Sequence, residues 1–186
     1  MIEISNLLGS KASVQLLEFF IQRTDQSMYQ AEIINDVKAS TNPQFNWNTA
    51  KKWLNIFVSY GLVSERKKGK WKLYTLERTN PVVKEFKIFI SVAKLYEVIR
   101  SYIIKDAEIY LFGSAARGED SENSDIDLLI IGQIDDNILV EIKESIKEKM
   151  RKDANIIAYS RAQYSDLYRS DHAFFDNIDK DKIKLL

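Results

Sequence analysis

The stretch EIYLFGSAARGEDSENSDIDLLII, from Glu108 to Ile131, constrains the fold more than any other part of the chain. Two short apolar runs, 108–112 and 126–131, are separated by Gly-Ser, a short Ala-Ala-Arg helix and a polar loop. Runs of this length and composition read as strands. The second run begins with an alternation, Asp125-Ile126-Asp127. Asp125 and Asp127 stand at its start. Two apart on a strand, they project from one face about 7 Å apart and repel unless a cation neutralises them. Oxygen-only ligands select Mg²⁺ or Mn²⁺. Gly113-Ser114 lies at a strand-to-helix junction. There glycine lets backbone approach a phosphate, and the Ser hydroxyl and exposed N–H groups donate to it. Arg117, one turn on, can add a charge-assisted bond to a triphosphate.

Ten residues separate Ser114 from Asp125, with Ala-Arg-Gly and Ser-Asp-X-Asp-Leu in context. In this arrangement LFGSAARGEDSENSDIDLLII resembles the minimal nucleotidyltransferase domain of the DNA polymerase β superfamily. The resemblance implies a mixed-sheet α/β fold from about Ala107 onward, with a helix over 136–151, a strand over Ala154–Tyr159 and C-terminal helices. It also implies Mg²⁺ (or Mn²⁺) held by Asp125 and Asp127, with a nucleoside triphosphate, ATP first among candidates, cradled by Gly113, Ser114 and Arg117. An acceptor hydroxyl then attacks the α-phosphorus. The family usually adds a third carboxylate on the next strand, where this chain reads DANIIAY and the best match is Asn155, which cannot act as a base. Asp153, two residues earlier, is the first substitute for this catalytic position, and Glu108 is the second. Two readings follow: an active transferase, or a catalytically degenerate regulator or antitoxin that binds DNA and senses nucleotide. The resemblance also brings in a separate HEPN-type helical partner as a candidate.

Upstream, apolar residues at helical spacing predict helices over 12–23, 30–38 and 47–60, with TDQSMY as a loop between the first two and Gly61 stopping the third. Ala50, Leu54, Phe57 and Val58 are expected to face the core. Leu62–Glu65 and Trp71–Leu76 read as strands joined by the basic loop Arg66–Lys70. This order resembles winged helix-turn-helix domains over residues 10–78. The resemblance assigns DNA contact to Asn48, Lys51, Lys52 and Asn55 of the third helix and to wing residues Lys67, Lys68 and Lys70. Charge supports the assignment, because residues 46–78 hold eight basic and two acidic side chains although the whole chain is neutral, and phosphate neutralisation dominates DNA affinity. The competing reading is a solvated lysine face on a protein-interaction module.

Thr79-Asn80-Pro81 marks a boundary, giving expected domains at 1–80 and 106–186 joined by a helix over 81–105. Its apolar residues cover more than one face, so it is expected to connect the domains and to form a homodimer through Phe86, Phe89, Ala93 and Tyr96. The alternative is burial within one chain. No cysteine is present, and the single histidine, His172, cannot supply a multi-His metal site. The start lacks a basic segment followed by a long apolar core, and no run approaches a membrane span, which predicts a cytoplasmic protein. Tyr164, Leu167, Tyr168, Phe174, Phe175 and Ile178 are expected to cover the sheet.

Overall fold

The computed structural model describes residues 8–186, and the first seven residues of the expected N-terminal domain lie outside them. The described chain divides into compact units ending at Val83 and beginning at Lys84.

The first unit holds α1 (Lys11–Gln22), β1 (Ser27–Tyr29), α2 (Gln30–Ser40), α3 (Trp47–Ser59), β2 (Val63–Lys68) and β3 (Trp71–Leu76). Its sheet is antiparallel in the order β1-β3-β2. Leu16, Phe20, Ile33, Val37, Leu54, Phe57, Leu62 and Tyr74 are buried in it. The starts of α2 and α3 are capped. Glu32 Oε2 accepts from the Tyr29 N–H at 2.8 Å, and Asn46 Oδ1 accepts from the Thr49 N–H at 3.1 Å. On α3, Ala50, Trp53, Leu54 and Phe57 are buried. Val58 is only half-buried, and the larger Trp53 takes a core position that the spacing argument had passed over. The expected TDQSMY loop contains β1, which pairs Ser27–Tyr29 with Thr75–Leu73; three residues are too few for a period to show. The hairpin is also tighter than expected. Lys67 and Lys68 pair with Lys72 and Trp71 inside the ladder, leaving Gly69-Lys70 as the turn.

In the second unit, α4 (Pro81–Ile99) enters from the boundary and is followed by β4 (Ala107–Phe112), α5 (Gly113–Ala116), β5 (Ile126–Gly132), α6 (Asp136–Met150), β6 (Ala154–Tyr159), α7 (Arg161–Ser170), α8 (His172–Asp179) and β7 (Ile183–Lys184). The sheet order is β6-β5-β4-β7. β5 and β6 run parallel, with α6 as the crossover that a parallel pair needs, and the other pairs are antiparallel. This is a mixed sheet in an α/β unit.

The apolar run of β5 is explained by two cores. Ile126, Leu128 and Ile130 pack with Leu95, Val98 and Ile99 of α4 and Ile142 and Ile146 of α6. Leu129 and Ile131 pack with Phe112 and Ile178, flanked by Tyr110, Tyr164 and Phe174. Tyr168 stays 53% exposed instead of covering the sheet, its ring meeting His172 and Phe175. Helix α4 ends at Ile99, six residues short of the expected limit. Among the described residues no helix is long and apolar enough to cross a membrane.

Candidate functional site

The site lies where β4 runs into α5 and β5 begins. Register places Phe112 opposite Asp127 and Asp127 beside Asn155 on the parallel neighbour. Opposed residues share a face, so Phe112, Asp127 and Asn155 form one row at the end of the sheet, with Gly113-Ser114 immediately after Phe112. Asp125 is exposed one residue ahead of β5, and Asp127 is half-buried.

Gly113 and Asp127 are in direct contact. Gly113 has φ +72°, and a methyl group there would lie 3.1 Å from Asp127 Cγ and collide with Oδ2. Only glycine allows this carboxylate to lie against the backbone of the junction. Helix α5 is a single turn, so its summed peptide dipole is small. The junction offers backbone access and the half-buried Ser114 hydroxyl instead.

Asn155 Nδ2 donates to Asp127 Oδ1 at 3.1 Å. Asp153 precedes β6, and its carboxylate accepts from Lys147 Nζ at 2.7 Å, with both side chains 68% exposed. That hydrogen bond holds the Lys147 ammonium above its ordinary value. The backbone carbonyl of Asp153 accepts from the Ile126 N–H at 2.8 Å, so this residue is tied to β5 through its main chain. Arg117 is within reach of two carboxylates, with Nε donating to Glu119 at 3.1 Å and Nη1 lying 3.5 Å from Asp181.

Glu108 lies at the far end of β4, opposite Ile131, four residues and thus about 13 Å from Phe112. Tyr110 donates to it at 2.5 Å and Lys184 at 3.0 Å, and these bonds hold its carboxyl below the usual range. Position removes Glu108 as a substitute third carboxylate. A groove of about 350 Å³ lined by Asp106, Gly132, Gln133, Ser160 and Arg161 is likewise at that opposite end of β5.

Among the described residues no three His, Cys, Asp or Glu side chains gather as a metal-binding set. Asp125 and Asp127 still fit Mg²⁺, which is commonly held by one or two carboxylates with substrate phosphates and water filling the remaining positions.

In the first unit, Asn48, Lys51, Lys52 and Asn55 are exposed along one face of α3, opposite its buried residues. The hairpin side chains Lys67, Lys68 and Lys70 are exposed as well. Two large rings also face solvent: Trp47 at the start of α3 is 50% exposed, and Trp71 at the hairpin turn is 55% exposed, with Lys70 Nζ 5.1 Å from its ring centre. The tryptophans were missed because aromatic residues in amphipathic segments are first read as core.

Residues 92–179 match the family model described as Nucleotidyltransferase domain. A chain from a crystal structure of a toxin–antitoxin with AMP-PNP is similar at 22% identity and TM-score 0.38, over 51% of this chain and 72% of that one. A candidate nucleotidyltransferase from Sulfolobus solfataricus is similar at 22% identity and TM-score 0.31, over 55% of this chain and 82% of that one. Among curated proteins nothing matches the chain.

Proposed function

We propose that the nucleotidyltransferase domain at residues 92–179 transfers a nucleoside monophosphate from ATP, or another nucleoside triphosphate, to an acceptor hydroxyl, and that the first unit is a winged helix that binds double-stranded DNA. The observation that carries the transferase reading is the packing of Asp127 against Gly113, which joins a carboxylate for a cation and a backbone cradle for phosphate in one place. Asp125 and Asp127 would hold Mg²⁺ or Mn²⁺, which when bound supplies charge neutralisation at the phosphates. Gly113 and Ser114 receive the triphosphate. Arg117 joins them by exchanging its carboxylate partners for phosphate oxygens. The acceptor oxygen forms a bond to the α-phosphorus as the bond to pyrophosphate breaks, and the hydroxyl proton passes to solvent or a nearby carboxylate. Asp153 is proposed as the auxiliary carboxylate, a role that requires its release from Lys147. The test is incubation with α-labelled ATP, Mg²⁺ and candidate acceptors. Label transferred by wild type and lost in Asp127→Ala supports the reading, and no transfer to protein, RNA or small-molecule hydroxyls contradicts it.

A second reading is favoured by Asn155. With an amide on Asp127 where the family places a third carboxylate, the domain would bind nucleotide without turning it over, as a DNA-binding regulator or antitoxin in the cytoplasm. A separate HEPN-type helical protein remains a candidate partner for either reading.

DNA contact is assigned to Asn48, Lys51, Lys52 and Asn55 on α3 and to Lys67, Lys68 and Lys70 on the hairpin, whose exposure on a basic surface supports it. The chain is further proposed to form a homodimer through α4, where Phe89 is 67% and Tyr96 52% exposed, Ala93 between them is exposed, and Phe86 is half-buried. Light scattering that returns the 21.6 kDa monomer at micromolar concentration would contradict the dimer.

A further inference from the structure

Three ionic side chains far apart in sequence meet in the interior of the second unit. Lys87 of α4 is 1% exposed and Asp120 is 6% exposed. Lys87 Nζ lies 3.0 Å from Asp120 Oδ1 and donates to the Asp120 carbonyl. Lys152, 15% exposed, reaches Asp120 Oδ2 at 2.6 Å and the Ser121 carbonyl at 2.7 Å. Two ammonium groups thus flank one carboxylate, and the two carbonyl oxygens are further acceptors for them.

Such a cluster is a poor way to gain stability. Desolvating the charges costs several kcal/mol per ion, and apolar replacement of buried ion networks is often neutral or favourable. What an ionic cluster provides is a defined geometry, and here that geometry belongs to the candidate site. Asp120 and Ser121 lie in the loop that leads from Gly113-Ser114 to Asp125. The same loop is closed by Ser124 Oγ, which accepts from the Ser121 N–H at 2.8 Å, one residue before Asp125. Lys152 precedes Asp153 and Asn155, and the Asp153 carbonyl binds the Ile126 N–H. A ring of contacts therefore runs from Lys152 through Asp120, Ser121 and Ser124 to Asp125 and Ile126, and back through Asp153. Gly118 fits the loop to α4: its φ is +64°, and a methyl group there would collide with the Lys84 carbonyl.

The geometry points to Lys87, Asp120 and Lys152 as positioning residues: a buried ionic clamp that sets the loop before Asp125, and with it the spacing of the metal-binding carboxylates from the phosphate cradle. This rests on the proposed nucleotide site. The clamp acts through the loop and touches neither metal nor nucleotide.

The test replaces all three side chains with apolar residues, Lys87→Met with Asp120→Leu and Lys152→Met. The expected result is a melting temperature within a few degrees of wild type, hydrogen-exchange protection lost at the amides of residues 121–126, and Mg²⁺-dependent ATP affinity at least tenfold weaker. Lys152→Arg should keep both protection and affinity. Should the triple variant not fold, Lys152→Met alone, at the most exposed of the three positions, carries the same two readouts. Unchanged protection with unchanged affinity overturns the clamp, and so does a loss of affinity that only follows a loss of overall stability. If wild type itself binds no Mg²⁺–ATP, the nucleotide reading fails, and exchange at 121–126 alone then decides whether the clamp sets the loop.

Discussion

The side-chain amide of Asn155 donates to Oδ1 of Asp127 across parallel strands, at 3.1 Å. The hydrogen bond puts a neutral group where a third carboxylate would complete a metal set, and it occupies one of the Asp127 oxygens. The two proposed readings, turnover and nucleotide binding without turnover, differ in the role they give this pair.

Asn155→Asp therefore tests which reading holds. If Asn155 is what limits the chemistry, the aspartate supplies a proton acceptor beside Asp127, and positioned general bases contribute about 10²–10⁴-fold. The expected outcome is at least a tenfold gain in label transfer from α-labelled ATP, with a lowered Mg²⁺ requirement. A rate equal to or below wild type would show that Asp153 or solvent already accepts the proton.

The basic face of the first unit predicts salt-sensitive DNA binding. Each phosphate contact contributes a slope of about −0.9 to the log–log dependence of affinity on salt. Removing Lys67, Lys68 and Lys70 together should flatten the slope by roughly 2.7 if all three touch phosphates. Fluorescence anisotropy with a labelled duplex reads this directly. Absence of duplex binding at low salt would make the unit a protein-interaction module.

Much of this architecture is legible in the sequence. The apolar runs 108–112 and 126–131 read as strands, and they form the paired β4 and β5. Gly-Ser followed ten residues later by Asp-X-Asp pointed to the candidate site, and the fold lays Asp127 against Gly113. Less legible were the short paired segments. β1 and β7 have three and two residues, and they exist because β3 and β4 offer open edges, which no local pattern reveals. Lys87 carries no signal in sequence either. A lysine in a helix reads as solvated until Asp120 and Lys152 are seen around it.

Alkaline titration gives a stability prediction away from the site. Burial, reinforced by Glu65, pushes Tyr74 up to about 12. Burial and the bond to Glu108 do the same for Tyr110. A tyrosine whose folded value is raised favours its neutral form in the folded state, so its contribution is complete below its ordinary value of about 10 and is lost as pH rises from there through about 12. Tyrosinate absorbance should show a late phase near pH 12, and Tyr74→Phe with Tyr110→Phe should remove it. A single transition near pH 10 in the folded protein contradicts both assignments.

Asp125, Asp127 and the Gly113-Ser114 junction are proposed to form one nucleotide–metal site. Isothermal titration of ATP, with and without Mg²⁺, into wild type and into Asp125→Ala with Asp127→Ala tests it most directly, with circular dichroism confirming that the variant is folded. Mg²⁺-dependent binding by wild type and none by the folded variant is the expected result. Equal affinity in the two proteins, or ATP binding in wild type that is indifferent to Mg²⁺, would contradict it.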